Sequence, residues 1–267
     1  MIRVELRKLL TRPRTWITVA LLAGLPALVG VFVRTTGVGP RPGRGPALLS
    51  EVLSNGSMFP AAALAIVLPL FLPIAVSVVA GDTVAGEAAF GTLRYLLIRP
   101  VPRARLLVAK LIATLSFVVL AVLAVALVGL LTGWLLFGLR PLTTVSGVAV
   151  GSEQLVLRVG FTVVYVAVSM FGVAAIGLFA STRTDAPLAA TLATLAAFVA
   201  SQVLDLIDAA GALHPYLPTH YWLDFVDLFR EPPYWSDVFR GLGIQAAYIT
   251  VFLGFAWAGF STRDVTA

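Results

Sequence analysis

Six long apolar runs, separated by short polar stretches, set the pattern of this chain. They are Trp16–Val33, Met58–Ala80, Leu106–Phe137, Leu155–Ala180, Ala186–Leu204 and Leu242–Phe260. A helix of about 20 apolar residues crosses a hydrocarbon core roughly 30 Å thick. The pattern predicts an all-α integral membrane protein, with one transmembrane domain of six helices over residues 1–267. The third run exceeds what crossing requires, so it tilts or projects beyond the bilayer. Pro26, Pro69 and Pro73 fall inside the first two runs. Each removes a backbone donor and kinks its helix.

Ahead of the first run, Val4, Leu6, Leu9 and Leu10 alternate with Arg3, Glu5, Arg7 and Lys8. A helix there places leucines on one face and bases on the other. Residues 1–15 are therefore expected to form an interfacial helix along the inner membrane surface, its bases near anionic lipid. A basic start before an apolar run also has the form of a signal peptide. No small-x-small cleavage site precedes Val33-Arg34, and five further runs follow, so the first run reads as an uncleaved span.

The polar stretch Gly81–Lys110 lies between the second and third runs. It carries five bases (Arg94, Arg99, Arg103, Arg105, Lys110) and two acids, Asp82 and Glu87. Basic loops remain on the cytoplasmic side. With the amino terminus inside, twelve bases face five acids on that side, a balance of +7. The other side holds seven bases and eight acids, or −1, and the two sides sum to the net +6 of the chain. Both termini are expected in the cytoplasm. Charge thus serves topology, and the basic balance is not read as a nucleic-acid surface.

Outside the membrane, Thr35–Pro46 is rich in Gly and Pro and reads as an irregular loop, and Arg140–Glu153 as a second one. Residues 205–240 hold Tyr216, Tyr221, Trp222, Tyr234 and Trp235 beside Asp224, Asp227 and Glu231. Tyr and Trp favour the membrane–water boundary. One or two short amphipathic helices are expected there, broken by Pro215, Pro218, Pro232 and Pro233. Both histidines, His214 and His220, fall in this interval near Asp208 and Asp224. Their spacing matches no helical zinc pair, so they read as interfacial polar residues and no metal site is assigned.

Composition narrows the chemistry. Hydrophobic residues make up 59% and charged residues 12%, half the roughly 25% charge of a soluble domain. The absence of cysteine excludes disulfides, zinc-thiolate sites and thiol catalysis. The two lysines, Lys8 and Lys110, stand in no phosphate-binding loop, and no metalloprotease or serine-hydrolase motif occurs. The chain has no ATP site of that kind and reads as a non-enzyme. Apart from Lys110, counted with the loop, the spans carry one charge near an end, Arg158, and none near the centre. Ion-driven carriers place charges near the midplane. The polar residues within the spans are mild, among them Ser77, Thr114, Ser169, Thr191, Ser201 and Gln202. They join helices by hydrogen bonds or line a path for an amphipathic substrate. Gly172, Ala174, Ala175 and Gly177 give the fourth span a small-residue face for close packing.

The residue order inside the central loop carries more. Glu87 is followed by Gly91-Thr92-Leu93-Arg94-Tyr95, then by Arg99-Pro100-Val-Pro-Arg103 and leucines leading to Lys110. This resembles the first cytoplasmic loop of ABC-2 type permeases, where a Glu and Gly-Thr-Leu precede a Pro-Val-x-Arg segment and a basic residue at the third span. The resemblance extends in outline to the basic start, the six spans and the short external helices. It implies the membrane subunit of a bacterial ABC exporter in the cytoplasmic membrane. Two permeases, identical or homologous, would pair around a path and seat two separate cytoplasmic ATPase subunits, which would bind ATP and Mg. No cofactor would be held in this chain, and its other partner would be membrane lipid.

Within that resemblance, residues 81–105 form the coupling loop. The segment Thr92–Leu97 would offer apolar knobs to a groove on the ATPase. Glu87 would offer a carboxylate to a basic or amide partner there. Arg94 and Arg99 would pair with acidic groups, and Pro100 and Pro102 would turn the chain back into the bilayer. Glu87, Gly91, Thr92, Leu93, Arg94, Tyr95 and Arg99 are thus the expected coupling residues. A non-transporting scaffold or sensor subunit that grips a cytoplasmic partner through the same loop is the competing reading. Neither the substrate nor the residues lining its path are legible.

Overall fold

The computed structural model describes residues 1–36, 56–90, 103–138, 142–143, 149–230 and 232–262. The architecture is helical. Helix α1 (Ile2–Thr11) is followed by α2 (Pro13–Thr36), a 3-10 turn Gly56–Met58, α3 (Phe59–Val67), α4 (Phe71–Ala89) and α5 (Arg103–Phe137). A two-rung antiparallel ladder, β1 (Leu142–Thr143) on β2 (Ala149–Val150), leads to α6 (Ser152–Arg183) and α7 (Pro187–Asp205). Three 3-10 segments, Asp208–Ala210, His214–Tyr216 and Asp224–Phe229, then precede α8 (Ser236–Thr262). Among the described residues, six helices (α2, α4, α5, α6, α7 and α8) are long and apolar enough to cross a membrane. At 35 residues, α5 is about 52 Å long and exceeds the hydrocarbon core, as its sequence predicts.

Successive spans alternate in direction, so the bundle has two ends. The near end gathers α1, the close of α4, the start of α5 and Ser261 of α8, whose carbonyl accepts from Arg103 Nη1 at 3.0 Å. The far end gathers the turn before α3, the close of α5 and the 3-10 segments before α8. Arg12, extended before Pro13, separates α1 from α2. Leu9 of α1 packs against the core, while Val4 and Leu10 stay exposed.

The second apolar run is not one helix. It breaks over Leu68–Leu70 into α3 and α4. Pro73 has no N–H to offer the carbonyl of Pro69, four residues earlier, and its ring crowds that carbonyl. Gln202 of α7 fills the vacancy, its Nε2 donating to Pro69 O at 2.7 Å. The break lets α3 pack on α5 while α4 moves over to lie between α6 and α7. Every residue of α3 except Ile66 is buried. At this seam, a side chain on Gly133 would put its Cβ 2.2 Å from the carbonyl of Gly56. Small residues allow backbones to approach closely in a membrane bundle.

The helical register of α4 continues to Ala89, eight residues past the expected start of the loop at Gly81. Phe117, Val118, Val122 and Val125 of α5 form the centre of the core with Val166, Met170 and Val173 of α6. Most buried hydroxyls serve their own helix. Thr114, Ser169 and Thr194 each donate to the carbonyl four residues back.

At the far end, the short helices expected before the last span are 3-10 segments within residues 206–230, where prolines such as Pro215 and Pro218 prevent a sustained i→i−4 ladder. They sink into the bundle as a cap. Phe225 and Leu228 are fully buried, and Trp222 lies 5.5 Å from the ring of Phe198. Tyr165 donates to Tyr221 O, and Gln245 Nε2 donates to Pro218 O at 2.6 Å. The aromatic residues expected at the boundary divide: Tyr221 and Trp222 are buried, whereas Tyr216 and Tyr234 are exposed.

A candidate coupling site at the near end

The last two turns of α4 place Asp82, Thr83 and Glu87 toward α1 and α5. Glu87 is 8% exposed and Lys110, on the second turn of α5, is 2% exposed. Lys110 Nζ lies 2.8 Å from Glu87 Oε2 and donates to Thr83 O at 2.6 Å. Lys8 of α1 reaches the other oxygen, Nζ to Oε1, at 3.2 Å. Both lysines of the chain therefore meet on one carboxylate. One turn earlier, Asp82 pairs with Arg14 and, at 3.4 Å, with Arg12. A cleft of about 370 Å³ opens beside these groups, with Glu5, Thr15 and Thr114 on its walls.

The two acids are held with different strength. Arg14 is well exposed, and a pair of that kind contributes about 0–1 kcal/mol. Glu87 and Lys110 are out of water. Removing one partner of such a pair leaves a buried charge uncompensated, at a cost of about 3–5 kcal/mol. Glu87 therefore ties α1, α4 and α5 together at the root of the connection between α4 and α5.

A family model described as ABC-2 family transporter protein matches residues 1–195. The chain belongs to the ABC-2 transporter family. The match includes α1, the broken second span and the whole Glu87 cluster, and ends within α7. No curated protein matches the chain. It is thus the multi-pass membrane component of an ABC-2 transporter, a family typically without its own ATPase site and generally paired with ATPase subunits.

The expected coupling residues of this ABC-2 protein fall in two groups. Glu87 is placed as above, with a lysine of the chain on each of its oxygens. Gly91, Thr92, Leu93, Arg94, Tyr95 and Arg99 lie outside the described residues. Sequence reasoning took Lys8, Arg12 and Arg14 as topology charges and missed that they converge on α4. One signal was available: the stretch after the second span has only two acids, and the chain has only two lysines.

The histidines serve the far-end cap. His220 Nδ1 lies 2.6 Å from Asp205 Oδ1, and His214 Nε2 lies 3.2 Å from the carbonyls of Leu204 and Ile207. Asp224 is pushed up to about 6, first by burial and then by Asp237 and Asp227, with His220 acting in the opposite direction.

Proposed function

We propose that this chain is the permease half of an ATP-driven exporter, working as a dimer on two ATPase subunits, with its near end in the cytoplasm. The charge balance supports that orientation, since the near end carries the basic excess. Residues 91–102 seat on the ATPase, with Gly91, Thr92, Leu93, Arg94, Tyr95 and Arg99 at the contact. Glu87 acts one step back from the contact. It transmits displacement of that segment to α1 and α5, because its carboxylate holds a lysine from each.

The Glu87 clasp is the observation that carries this reading. A group that only enforced topology would need neither burial nor two cationic partners from distant elements. The test is co-purification of the tagged protein in mild detergent, with ATP hydrolysis and transport measured on the reconstituted eluate. An ABC ATPase is expected in the eluate. Glu87→Ala is expected to insert normally, yet lose transport or transport-stimulated hydrolysis. Unimpaired transport by a well-expressed Glu87→Ala protein would remove the clasp from the mechanism. An eluate free of any nucleotide-binding subunit, from membranes where neighbouring genes are expressed, would favour a scaffold or sensor.

A further inference from the structure

The backbone of α4 does not keep its hydrogen bonds to itself just before the Glu87 clasp. Ser181 of α6 is fully buried, and its hydroxyl touches three backbone groups of α4. Oγ donates to Gly81 O at 2.7 Å and accepts from Val84 N at 3.0 Å and Ala85 N at 2.9 Å. That fills the capacity of a hydroxyl, one donor and two acceptor sites. Ala85 N–H and Gly81 C=O are i→i−4 partners in a regular helix. Two neighbouring rungs are shared in the same way. Thr83 Oγ1 donates to Ala80 O at 2.6 Å, and Lys110 Nζ takes Thr83 O, the normal partner of the Glu87 amide. A side chain inserted into the i→i−4 ladder is a recognised cause of helix bending.

The same turn is gripped from both sides. A Cβ on Gly81 would fall 2.6 Å from Thr191 Oγ1 and 2.9 Å from Thr191 N of α7. On α6, one turn before Ser181, a Cβ on Gly177 would fall 2.6 Å from the Cβ of Ala80. Helix α4 is therefore pinched at Ala80–Gly81 between two neighbours. Beyond the pinch, residues 82–89 form an arm about 12 Å long that carries Asp82 and Glu87.

We propose that Ser181 is the pin of a hinge in α4. When the arm tilts, the i→i−4 bonds across Gly81–Ala85 open, and the hydroxyl serves the freed carbonyl and amides. Without it, opening would leave buried backbone groups unpaired, which membrane interiors do not tolerate. Ser181 is a positioning residue, and the far half of α4 stays packed while the arm moves. This inference rests on the reading that displacement enters through residues 91–102.

The test uses the absence of native cysteine. Spin labels at Phe90→Cys and Leu188→Cys, highly exposed positions at the cap that closes α4 and on α7, report the arm against its neighbour in the co-purified complex in nanodiscs. Adding a non-hydrolysable ATP analogue is expected to shift the distance distribution in the otherwise native chain. In Ser181→Ala the distribution stays in place, ATP hydrolysis remains within about twofold and transport falls at least about tenfold. Ser181→Thr, which keeps the hydroxyl, restores the shift. A Ser181→Ala protein that shifts and transports like the native chain overturns the hinge. Hydrogen exchange on the unmutated permease decides the matter even if no ATPase co-purifies or the variant fails to fold. The amides of Val84 and Ala85 are expected to exchange at least about tenfold faster than that of Val76 on the same helix. Equal protection overturns the proposal, whatever becomes of the transporter reading.

Discussion

The two ends of the bundle are held by opposite chemistry. The near end is joined by charge: Lys8, Lys110, Arg12 and Arg14 converge on two carboxylates of α4. The far end is joined mainly by rings and by hydrogen bonds to the backbone, with Phe225, Leu228 and Trp222 sunk into the bundle, Gln245 and Tyr165 bonded to the backbone of the cap, and the His220–Asp205 pair as its one charged tie to α7 among the described residues. Apolar burial is non-directional and bears small shifts. Charge pairs are directional, few and subject to competition from other ions. An end that must exchange partners during a cycle is served by the second kind. An end that must stay shut against the opposite solution is served by the first.

The largest expected effect breaks the near end. Glu87→Ala should lower stability by about 3–5 kcal/mol by stranding Lys110, seen as a lower thermal midpoint in detergent. The double variant Glu87→Leu, Lys110→Met removes both charges and should recover most of that loss while transport stays impaired. Recovery of transport along with stability would mean that the clasp serves only the fold. A comparable loss is expected at the far end from Phe225→Ala, about 3–5 kcal/mol for a fully buried ring. It is read in the same way, as a lower thermal midpoint in detergent.

A smaller effect concerns pH. Burial, with Asp237 and Asp227 nearby, pushes Asp224 up to about 6 in the folded cap, from the ordinary carboxylate value of 3.8. The folded form therefore binds the proton more tightly, and this group's contribution to stability is greatest below about pH 4 and is lost as pH rises through about 6. Asp224→Asn should flatten that part of the profile. The check is the difference in thermal midpoint between the two proteins from pH 4.5 to 7.5; a constant difference would refute the assignment. The smallest expected effect is that of Arg14→Ala, about 0–1 kcal/mol and weaker still at high salt. A cost as large as that of Glu87→Ala would erase the distinction between the two acids of α4.

Much of the fold was legible because a membrane span is a local property of composition. Length and hydropathy alone identify the six crossing helices, and the over-long third one, without reference to any partner. The break in the second span was half legible. Pro69 and Pro73 announce a disturbed helix, but the sidestep of α4 away from α5 depends on space between α6 and α7. Helix α4 runs past Gly81 into the stretch read as loop because polarity ends an apolar run without ending a helix. Asp82 and Glu87 keep helical backbone as far as Ala89 because Arg12, Arg14, Lys8 and Lys110 neutralise them.

Sequence by itself determined the class of the molecule, the number of its spans and the motif that points to the ABC-2 family, since each depends on residues close together in the chain. Tertiary structure alone decided which charges meet and which backbone groups are shared. Glu87 finds Lys8 79 residues away, and Ser181 finds Gly81 100 residues away. A carboxylate is satisfied by any cation brought to it, and a freed carbonyl by any donor. The identity of the partner is therefore set by the packing of the helices and not by the residues that flank either group.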